Sequence, residues 1–216
     1  MSVKESLRRD VLLGAKAVFN RGLVETGEGN TSARVPGKEE LFITPTFNDY
    51  ESLSEGDIVH VNFDGKVLSD GRQPSSEYRL HAAIYEAHKK ANCVIHTHSP
   101  YATMLSVARI SIPVLLEEML IFLGGSVEVS DFGVANTDEI SERAVKALGK
   151  SNGILMANHG VVVCGRNMEH TVKMAELVEK MARVYWGASQ IGKPKEVPKE
   201  GHAIFLEKFN SKFSTH

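Results

Sequence analysis

Two histidines separated by one residue are the feature of this sequence best suited to chemistry. His96 and His98 end a short apolar run that begins at Cys93 and is typical of a buried strand. Because side chains alternate along a strand, both imidazoles project to the same side, with Cα atoms roughly 6.5–7 Å apart. Two imidazoles at that separation can bind one metal ion through bonds of about 2.0–2.1 Å. The pair is also compatible with edge histidines that bond to the backbone or to water.

A third histidine and a carboxylate strengthen the metal interpretation. His159 lies at a break between two apolar strand runs, although it could also be a turn residue that caps a hairpin. Glu77 lies at a predicted helix start, which carboxylates also favour because of the helix dipole. Three histidines and one carboxylate suit a catalytic zinc ion, with the carboxylate able to exchange with substrate. His81 and His88 follow on the same predicted helix, where we expect a surface position or a place behind the site.

Three short loops combine hydroxyl groups with a turn or a helix start. They are Gly29-Asn30-Thr31-Ser32, Thr44-Pro45-Thr46 and Ser75-Ser76. Backbone N–H groups left free at such places bind phosphate oxygens, and hydroxyl groups add further donors. Each loop taken alone is also explained by capping and turn formation. Their occurrence together with the histidine set favours a ligand that carries phosphate.

The elements that must position these residues alternate between helix and strand. The first predicted helix can be capped by Ser2 and ended by Gly22. The other predicted helices start near Ser75 or cover Pro100–Ala108, Leu115–Leu123, Thr137–Leu148, Met168–Ala188 and Gly201–Phe213. The predicted strands are Ser32–Val35, Leu41–Thr44, a hairpin over Asp57–Leu68, Cys93–Thr97, Ile154–Met156 and Val161–Cys164. This order predicts an α/β protein with a mixed sheet covered on both sides.

The composition is that of an ordinary globular protein. Of the 216 residues, 42% are hydrophobic and 24% charged, and 25 Lys and Arg against 27 Asp and Glu give a net charge of −2. These values exclude disordered, collagen-like and coiled-coil chains and argue against a nucleic-acid or membrane partner. Cys93 and Cys164 lie in apolar runs, which indicates buried thiols in a reducing compartment. We therefore expect a single cytoplasmic domain over residues 1–216.

Five motifs together resemble one known family. Gly29-Asn30-Thr31-Ser32, Ile43-Thr44-Pro45-Thr46, Pro74-Ser75-Ser76-Glu77, His96-Thr97-His98-Ser99 and Asn158-His159-Gly160 occur in the order and approximate spacing of the class II aldolase/adducin family. The resemblance extends over nearly the whole chain and is greatest to the sugar-phosphate aldolases. It implies a three-layer α/β/α sandwich with a central mixed, largely antiparallel sheet. It also implies a homotetramer with active sites at subunit boundaries.

The resemblance assigns roles to individual residues. It implies that His96, His98 and His159 bind zinc, and that Glu77 binds zinc in the empty site and then acts as acid/base. The positions that match the family's substrate-phosphate site are Gly29, Asn30, Thr46, Ser75 and Ser76. The activity implied is reversible cleavage of a ketose 1-phosphate, similar to L-fuculose 1-phosphate, to dihydroxyacetone phosphate and a small aldehyde through a metal-stabilised enediolate.

Two departures from the family pattern bear on the substrate. Phe47 follows Thr46 where the aldolases usually have glycine, and tyrosine is missing after Ile112-Pro113 and from Phe209–Phe213. Glu118 precedes a methionine, as a catalytic glutamate does in the related methylthioribulose-1-phosphate dehydratases, which makes Glu118 the candidate acid/base on the aldehyde side. The alternatives are such a dehydratase, an L-ribulose-5-phosphate 4-epimerase and a metal-free binding module like the adducin head.

Overall fold

The computed structural model describes residues 2–47 and 49–216, which form six α-helices and six β-strands. The helices are Val3–Asn20 (α1), Tyr78–Ala87 (α2), Pro100–Ala108 (α3), Asp138–Leu148 (α4), Met168–Ile191 (α5) and His202–Lys208 (α6). The strands are Asn30–Arg34 (β1), Glu40–Ile43 (β2), Val59–Asn62 (β3), Cys93–Thr97 (β4), Gly153–Met156 (β5) and Gly160–Gly165 (β6). In this described part of the chain, no helix combines the length and apolar character needed to cross a membrane.

The six strands form one sheet in the order β3-β2-β1-β4-β6-β5. Each pair of neighbouring strands in the described chain runs antiparallel. A parallel contact is found at the isolated bridge between Val129 and Leu155. The predicted α/β/α architecture is therefore confirmed. The sheet was predicted to be mixed and largely antiparallel, and in the described chain its parallel part is this single bridge.

Two hydrophobic cores lie on opposite faces of the sheet. Ile95 of β4 packs with the apolar faces of α1, α3 and α5, whereas Val94 packs with those of α2 and α4. Each such fully buried aliphatic side chain contributes about 1.5–3 kcal/mol relative to exposure to water. Since side chains alternate along a strand, His96 shares the α2–α4 face with Val94.

The predicted N-terminal cap of α1 is confirmed. Ser2 Oγ accepts the backbone N–H of Glu5 at 3.3 Å, and Glu5 Oε2 accepts the backbone N–H of Ser2 at 2.6 Å. This reciprocal pair satisfies two donors that a helix start leaves without intrahelical partners. Val11, Ala15 and Val18 are buried along the helix, as its apolar periodicity predicts.

Helix α2 begins later than predicted. The backbone N–H of Ser75 donates to Thr44 O at 3.0 Å, and that of Thr46 donates to Gln73 O at 3.1 Å. These bonds hold the chain before Glu77 against the segment that leaves β2, so the first helical residue is Tyr78. As a result, two of the predicted phosphate loops lie side by side.

Two other predicted elements are shorter in the structure. The predicted hairpin over Asp57–Leu68 contains strand β3, but its return is an isolated bridge from Val61 to Val67. The predicted helix Leu115–Leu123 is a π-helical turn over Met119–Leu123. It ends at Gly124, whose φ is +86° and where a Cβ would lie 2.6 Å from the Phe209 ring. The close approach of that ring requires glycine there.

Candidate active site

Three histidine side chains meet beside the end of β4. His96 is the fourth residue of β4, His98 follows the strand, and His159 lies in the turn that joins β5 to β6. Their nearest ring nitrogens all lie within 4.8 Å of one another, and the Nε2 atoms of His96 and His98 are 2.9 Å apart. Nitrogen ligands of a tetrahedral ion with bonds of 2.0–2.1 Å are about 3.3 Å apart. The cluster could therefore hold a metal ion after small adjustments.

Hydrogen bonding and burial prepare His96 and His98 for metal binding. The Nδ1–H of His96 donates to Val161 O at 2.8 Å, which leaves the lone pair of Nε2 directed toward His98. Burial lowers the pKa of His96 to about 3 and also lowers the pKa of His98. Both imidazoles are thus neutral near pH 7, the form that binds a metal ion.

The turn that carries His159 is held from outside by an arginine. Asn158 has a φ of +55°, in the left-handed region, and its Oδ1 accepts a hydrogen bond from Arg109 Nη2. Arg109 is the residue that ends α3, and it also donates to Ser106 O at 2.8 Å. The position of the His159 turn is therefore tied to the end of a helix on the opposite face of the sheet.

Two glycines permit the close packing around the histidines. A Cβ on Gly160 would lie 2.9 Å from His98 Cδ2 and 3.2 Å from His96 Cε1. A Cβ on Gly29, whose φ is +61°, would lie 2.7 Å from His96 O and 2.5 Å from Val24 Cγ1. Any side chain at either position would displace the histidine pair or the strand that carries it.

Glu77 lies against the histidine cluster at the N-terminus of α2. Its Oε2 accepts from Asn30 Nδ2 at 2.7 Å and lies 3.4 Å from His96 Nε2. Its Oε1 lies 3.2 Å from His159 Nε2, yet among the described residues this buried atom has no aligned hydrogen-bond donor. Burial opposes ionisation, but His96, His159 and Asn30 together hold the pKa of Glu77 well below its ordinary value. A carboxylate with an open acceptor site therefore faces the imidazoles at neutral pH.

The predicted phosphate residues surround one cavity of about 240 Å³ beside Glu77 and His98. Its walls include every predicted substrate position, namely Gly29, Asn30, Thr46, Ser75 and Ser76. The backbone N–H groups of Thr46 and Ser75 are already bonded within the protein. The side-chain hydroxyls of these two residues and of Ser76 can donate to a ligand in this cavity.

The rim of the cavity carries an exposed phenylalanine. Phe47 has a φ of +49°, and its side chain is 86% exposed. Arg72 Nη2 donates to Thr46 O at 3.1 Å and to Phe47 O at 3.0 Å, which fixes this left-handed turn. A bulky residue in that region of backbone space is uncommon and costs roughly 1–2 kcal/mol.

Glu118 lies in another part of the structure. Its Oε1 accepts from Lys180 Nζ at 2.6 Å, and it lines a groove together with Arg21 and Tyr101. The structure thus brings together all the other predicted site residues and places Glu118 in a separate groove, so its role remains a prediction.

Several residues near the cluster were not assigned to the site from the sequence. His81 is fully buried, and its Nε2 lies 2.5 Å from Asn30 Oδ1. Of the two positions expected for His81, the structure shows the one behind the site and not the one at the surface. His88 is also buried, but it bonds Thr215 Oγ1 at 2.8 Å. Glu28 Oε1 lies 3.8 Å from His98 Nδ1. The four-residue spacing of Glu77 and His81 places both on one side of α2, and this signal could have identified His81.

The family model for the Class II Aldolase and Adducin N-terminal domain matches residues 9–186. The L-fuculose phosphate aldolase of Escherichia coli K12 is 32% identical over 209 residues, which cover 96% of each chain. The 5-methylthioribulose-1-phosphate/5-deoxyribulose-1-phosphate aldolase of Rhodospirillum rubrum is 31% identical over 95% of this chain and 92% of that protein. A solved L-fuculose 1-phosphate aldolase superposes with a TM-score of 0.90 and 28% identity, covering 97% of this chain and 98% of that one.

Motifs from β1, the start of α2, the end of β4 and the β5–β6 turn meet at one site, and the aldolases that resemble this chain do so over almost its entire length. The chain belongs to the class II aldolase and adducin family and is an aldolase, a carbon–carbon lyase.

Proposed function

We propose that this aldolase uses zinc to cleave a ketose 1-phosphate reversibly, giving dihydroxyacetone phosphate and a small aldehyde. The observation that carries the proposal is the convergence of three imidazoles within 4.8 Å of one another, beside a buried carboxylate. L-fuculose 1-phosphate is the first candidate substrate, because aldolases named for it resemble this chain in sequence and in structure.

The residues present fit a divalent metal ion. His96, His98 and His159 would hold it through nitrogen, and Glu77 Oε1 would be a fourth ligand that substrate can replace. Three histidines and a carboxylate, with no thiolate, are typical of an open catalytic zinc site rather than a closed structural one. When bound, such an ion supplies Lewis acidity that stabilises the negative charge left on the ketone half after carbon–carbon cleavage.

In this proposal Glu77 transfers the proton. Its carboxylate is ionised and fixed by Asn30 Nδ2, so it can accept a proton at Oε1 once substrate occupies the neighbouring position. A positioned acid/base group contributes about 10²–10⁴-fold to such reactions. Glu118 is proposed as the acid/base on the aldehyde side, which requires that its groove join the site in the assembled enzyme.

The phosphate group of the substrate is proposed to bind in the cavity beside Glu77. Thr46, Ser75 and Ser76, which carry hydroxyl groups, line that cavity together with Gly29 and Asn30. Hydroxyl donors bind phosphate without a cation, and the positive end of α2 adds a favourable field.

A second candidate substrate is a 5-deoxy or 5-methylthio ketose 1-phosphate. The Rhodospirillum rubrum relative is named for both, and the exposed Phe47 gives the rim of the site an apolar surface. The chemistry would be the same, with a different aldehyde as product.

The active assembly is proposed to be a homotetramer in the cytoplasm. Apolar side chains of α3 and α5 are left exposed, among them Val107, Val184 and Trp186, and they suit contact with further copies of the chain. Two free, buried cysteines agree with a reducing compartment. Light scattering during size-exclusion chromatography measures the assembly, and a fully active monomer would contradict the proposed homotetramer.

Metal-dependent product analysis tests the proposed function. The purified protein is stripped with a chelator, reloaded with zinc and incubated with each candidate substrate, and dihydroxyacetone phosphate is measured with a coupled assay. We expect release only after reloading. Formation of an epimer or a dehydrated ketone from these substrates, with no triose phosphate, would instead favour the epimerase or dehydratase alternatives.

Two variants separate metal binding from proton transfer. Glu77→Gln keeps the shape of the side chain but cannot accept the proton, so we expect it to keep zinc better than His96→Ala and to lose about 10²-fold or more in kcat. Zinc content is measured by atomic emission. A fully active Glu77→Gln enzyme would show that another group moves the proton.

A further inference from the structure

A buried chain of hydrogen bonds runs beneath α2 and ends at Glu77. Tyr85 OH lies 2.7 Å from Ser32 Oγ, and Ser32 Oγ lies 2.6 Å from His81 Nδ1. His81 Nε2 lies 2.5 Å from Asn30 Oδ1, and Asn30 Nδ2 lies 2.7 Å from Glu77 Oε2. All members except Glu77 are at least 97% buried.

Only one arrangement of protons satisfies this chain when Glu77 is ionised and the His81 ring is neutral. A carboxylate only accepts, so Asn30 must present its NH₂ group to Glu77 and its carbonyl oxygen to His81. That carbonyl also only accepts, so His81 must carry its proton on Nε2. Nδ1 of His81 is then an acceptor, which Ser32 satisfies with its hydroxyl proton, and Tyr85 in turn donates to Ser32. Burial lowers the pKa of His81 to about 4, in agreement with the neutral ring that this arrangement requires.

We propose that His81 is a positioning residue for Glu77, acting through the amide of Asn30. This inference rests on the proposed function for the role of Glu77. The Nε2–H of His81 holds the Asn30 carbonyl and so prevents the amide from turning over. If the amide turned over, its oxygen would face the Glu77 carboxylate, and the two acceptors would repel each other. The carboxylate would then leave its place beside His96 and His159.

The length of the side chain at position 81 provides a matched test. In His81→Gln, the amide nitrogen can occupy the place of Nε2 and donate to Asn30. In His81→Asn, the shorter amide can replace only Nδ1, so it can accept from Ser32 but cannot reach Asn30. Both variants are neutral amides of similar polarity. His81→Gln keeps the bond to Asn30 and gives up the bond to Ser32, whereas His81→Asn does the reverse.

The first measurement is zinc affinity of the apo-protein, by competition with a chromogenic chelator and without any sugar phosphate. Loss of a group that orients a metal ligand typically costs 10–100-fold in affinity or activity. We expect His81→Asn to bind zinc at least tenfold more weakly than the wild type and His81→Gln to remain within about threefold. The second measurement is aldol cleavage, where we expect kcat to fall in the same order and KM to change by less than about threefold.

Equal zinc affinities for the two variants, at equal folded fraction by circular dichroism, would overturn the proposal. If His81→Asn does not fold, His81→Leu replaces it, because its apolar side chain removes the donor to Asn30. Zinc affinity of His81→Leu equal to that of His81→Gln would then overturn the proposal. If the wild type binds zinc but cleaves no sugar phosphate, the proposed function fails, while the zinc measurements still decide the role of His81.

Discussion

Replacing Gly160 by alanine would test whether the backbone of β6 sets the geometry of the histidine cluster. The added Cβ would lie 2.9 Å from His98 Cδ2 and 3.2 Å from His96 Cε1, and it would also overlap the carbonyl oxygen of Thr97. That oxygen belongs to β4, which pairs with β6 at this point, so it cannot rotate away as a flexible side chain could. The collision therefore has to move the strand or the two rings.

The size of the effect follows from these distances. Carbon atoms in good contact are about 3.5–4.0 Å apart, so the His98 ring must move by roughly 0.6–1 Å. A misplacement of about 1 Å in an active site can reduce the rate about 10²-fold. Overpacking of this kind also costs about 1–3 kcal/mol of folding free energy. We therefore expect Gly160→Ala to lose about 100-fold in kcat/KM and to bind zinc more weakly.

Gly165→Ala is the matched control on the same strand. Its Cβ would collide with the Thr171 side chain and lie 3.3 Å from Thr171 N, at the end of β6 opposite the histidines. We expect a similar loss of stability in thermal unfolding, with zinc affinity and kcat within about threefold of the wild type. Equal loss of zinc affinity in the two variants, or none in Gly160→Ala, would refute the reasoning.

Three further predictions concern the surroundings of the site. Phe47→Gly should relieve the left-handed strain at this position and leave the free energy of unfolding within about 1 kcal/mol of the wild type. Because the apolar rim is lost, the ratio of kcat/KM for a 5-methylthio substrate to kcat/KM for L-fuculose 1-phosphate should fall about tenfold. An unchanged ratio would show that the ring does not contact substrate. Arg109→Ala should weaken zinc binding about tenfold in the chelator competition, because the turn carrying His159 loses its tie to α3; unchanged affinity would contradict this. Burial raises the pKa of Cys164 to about 12 and also raises the pKa of Cys93. At pH 8 we therefore expect both thiols to react with a disulfide reagent about 100-fold more slowly in the folded protein than in guanidinium chloride.

The histidine cluster was predictable from the sequence because strand geometry is simple. His96 and His98 are two residues apart at a strand end, and this spacing places both rings on one side. His159 was predictable because a histidine is unusual at a break between two buried apolar strands, and this position indicated a functional role. The carboxylate Glu77 was predicted at the helix start, and the structure places it at the N-terminus of α2.

Other features depend on contacts that the sequence does not encode locally. The late start of α2 results from bonds between Ser75 and Thr44, which are far apart in the chain. The tie between Arg109 and Asn158 joins residues from two elements and has no spacing signature. Glu118 was predicted because Glu118-Met119 resembles the catalytic glutamate and methionine of the related dehydratases. A motif of two residues does not determine in which groove the side chain lies.

The register of β4 explains how distant motifs form a single site. His96 lies opposite Asn30 of β1 on one side and Val162 of β6 on the other. Directly opposed residues project to the same face of an antiparallel sheet, so Asn30 and His96 both lie beneath the start of α2, where Glu77 enters. A shift of either pairing by one residue would turn Asn30 or Val162 to the opposite face. The same register places Gly160 next to the pair of Thr97 and Val161, where its missing side chain makes room for both rings. The ladder of β1, β4 and β6 therefore fixes the distance between the histidine cluster and Glu77, and changes in that ladder should alter zinc binding before they unfold the chain.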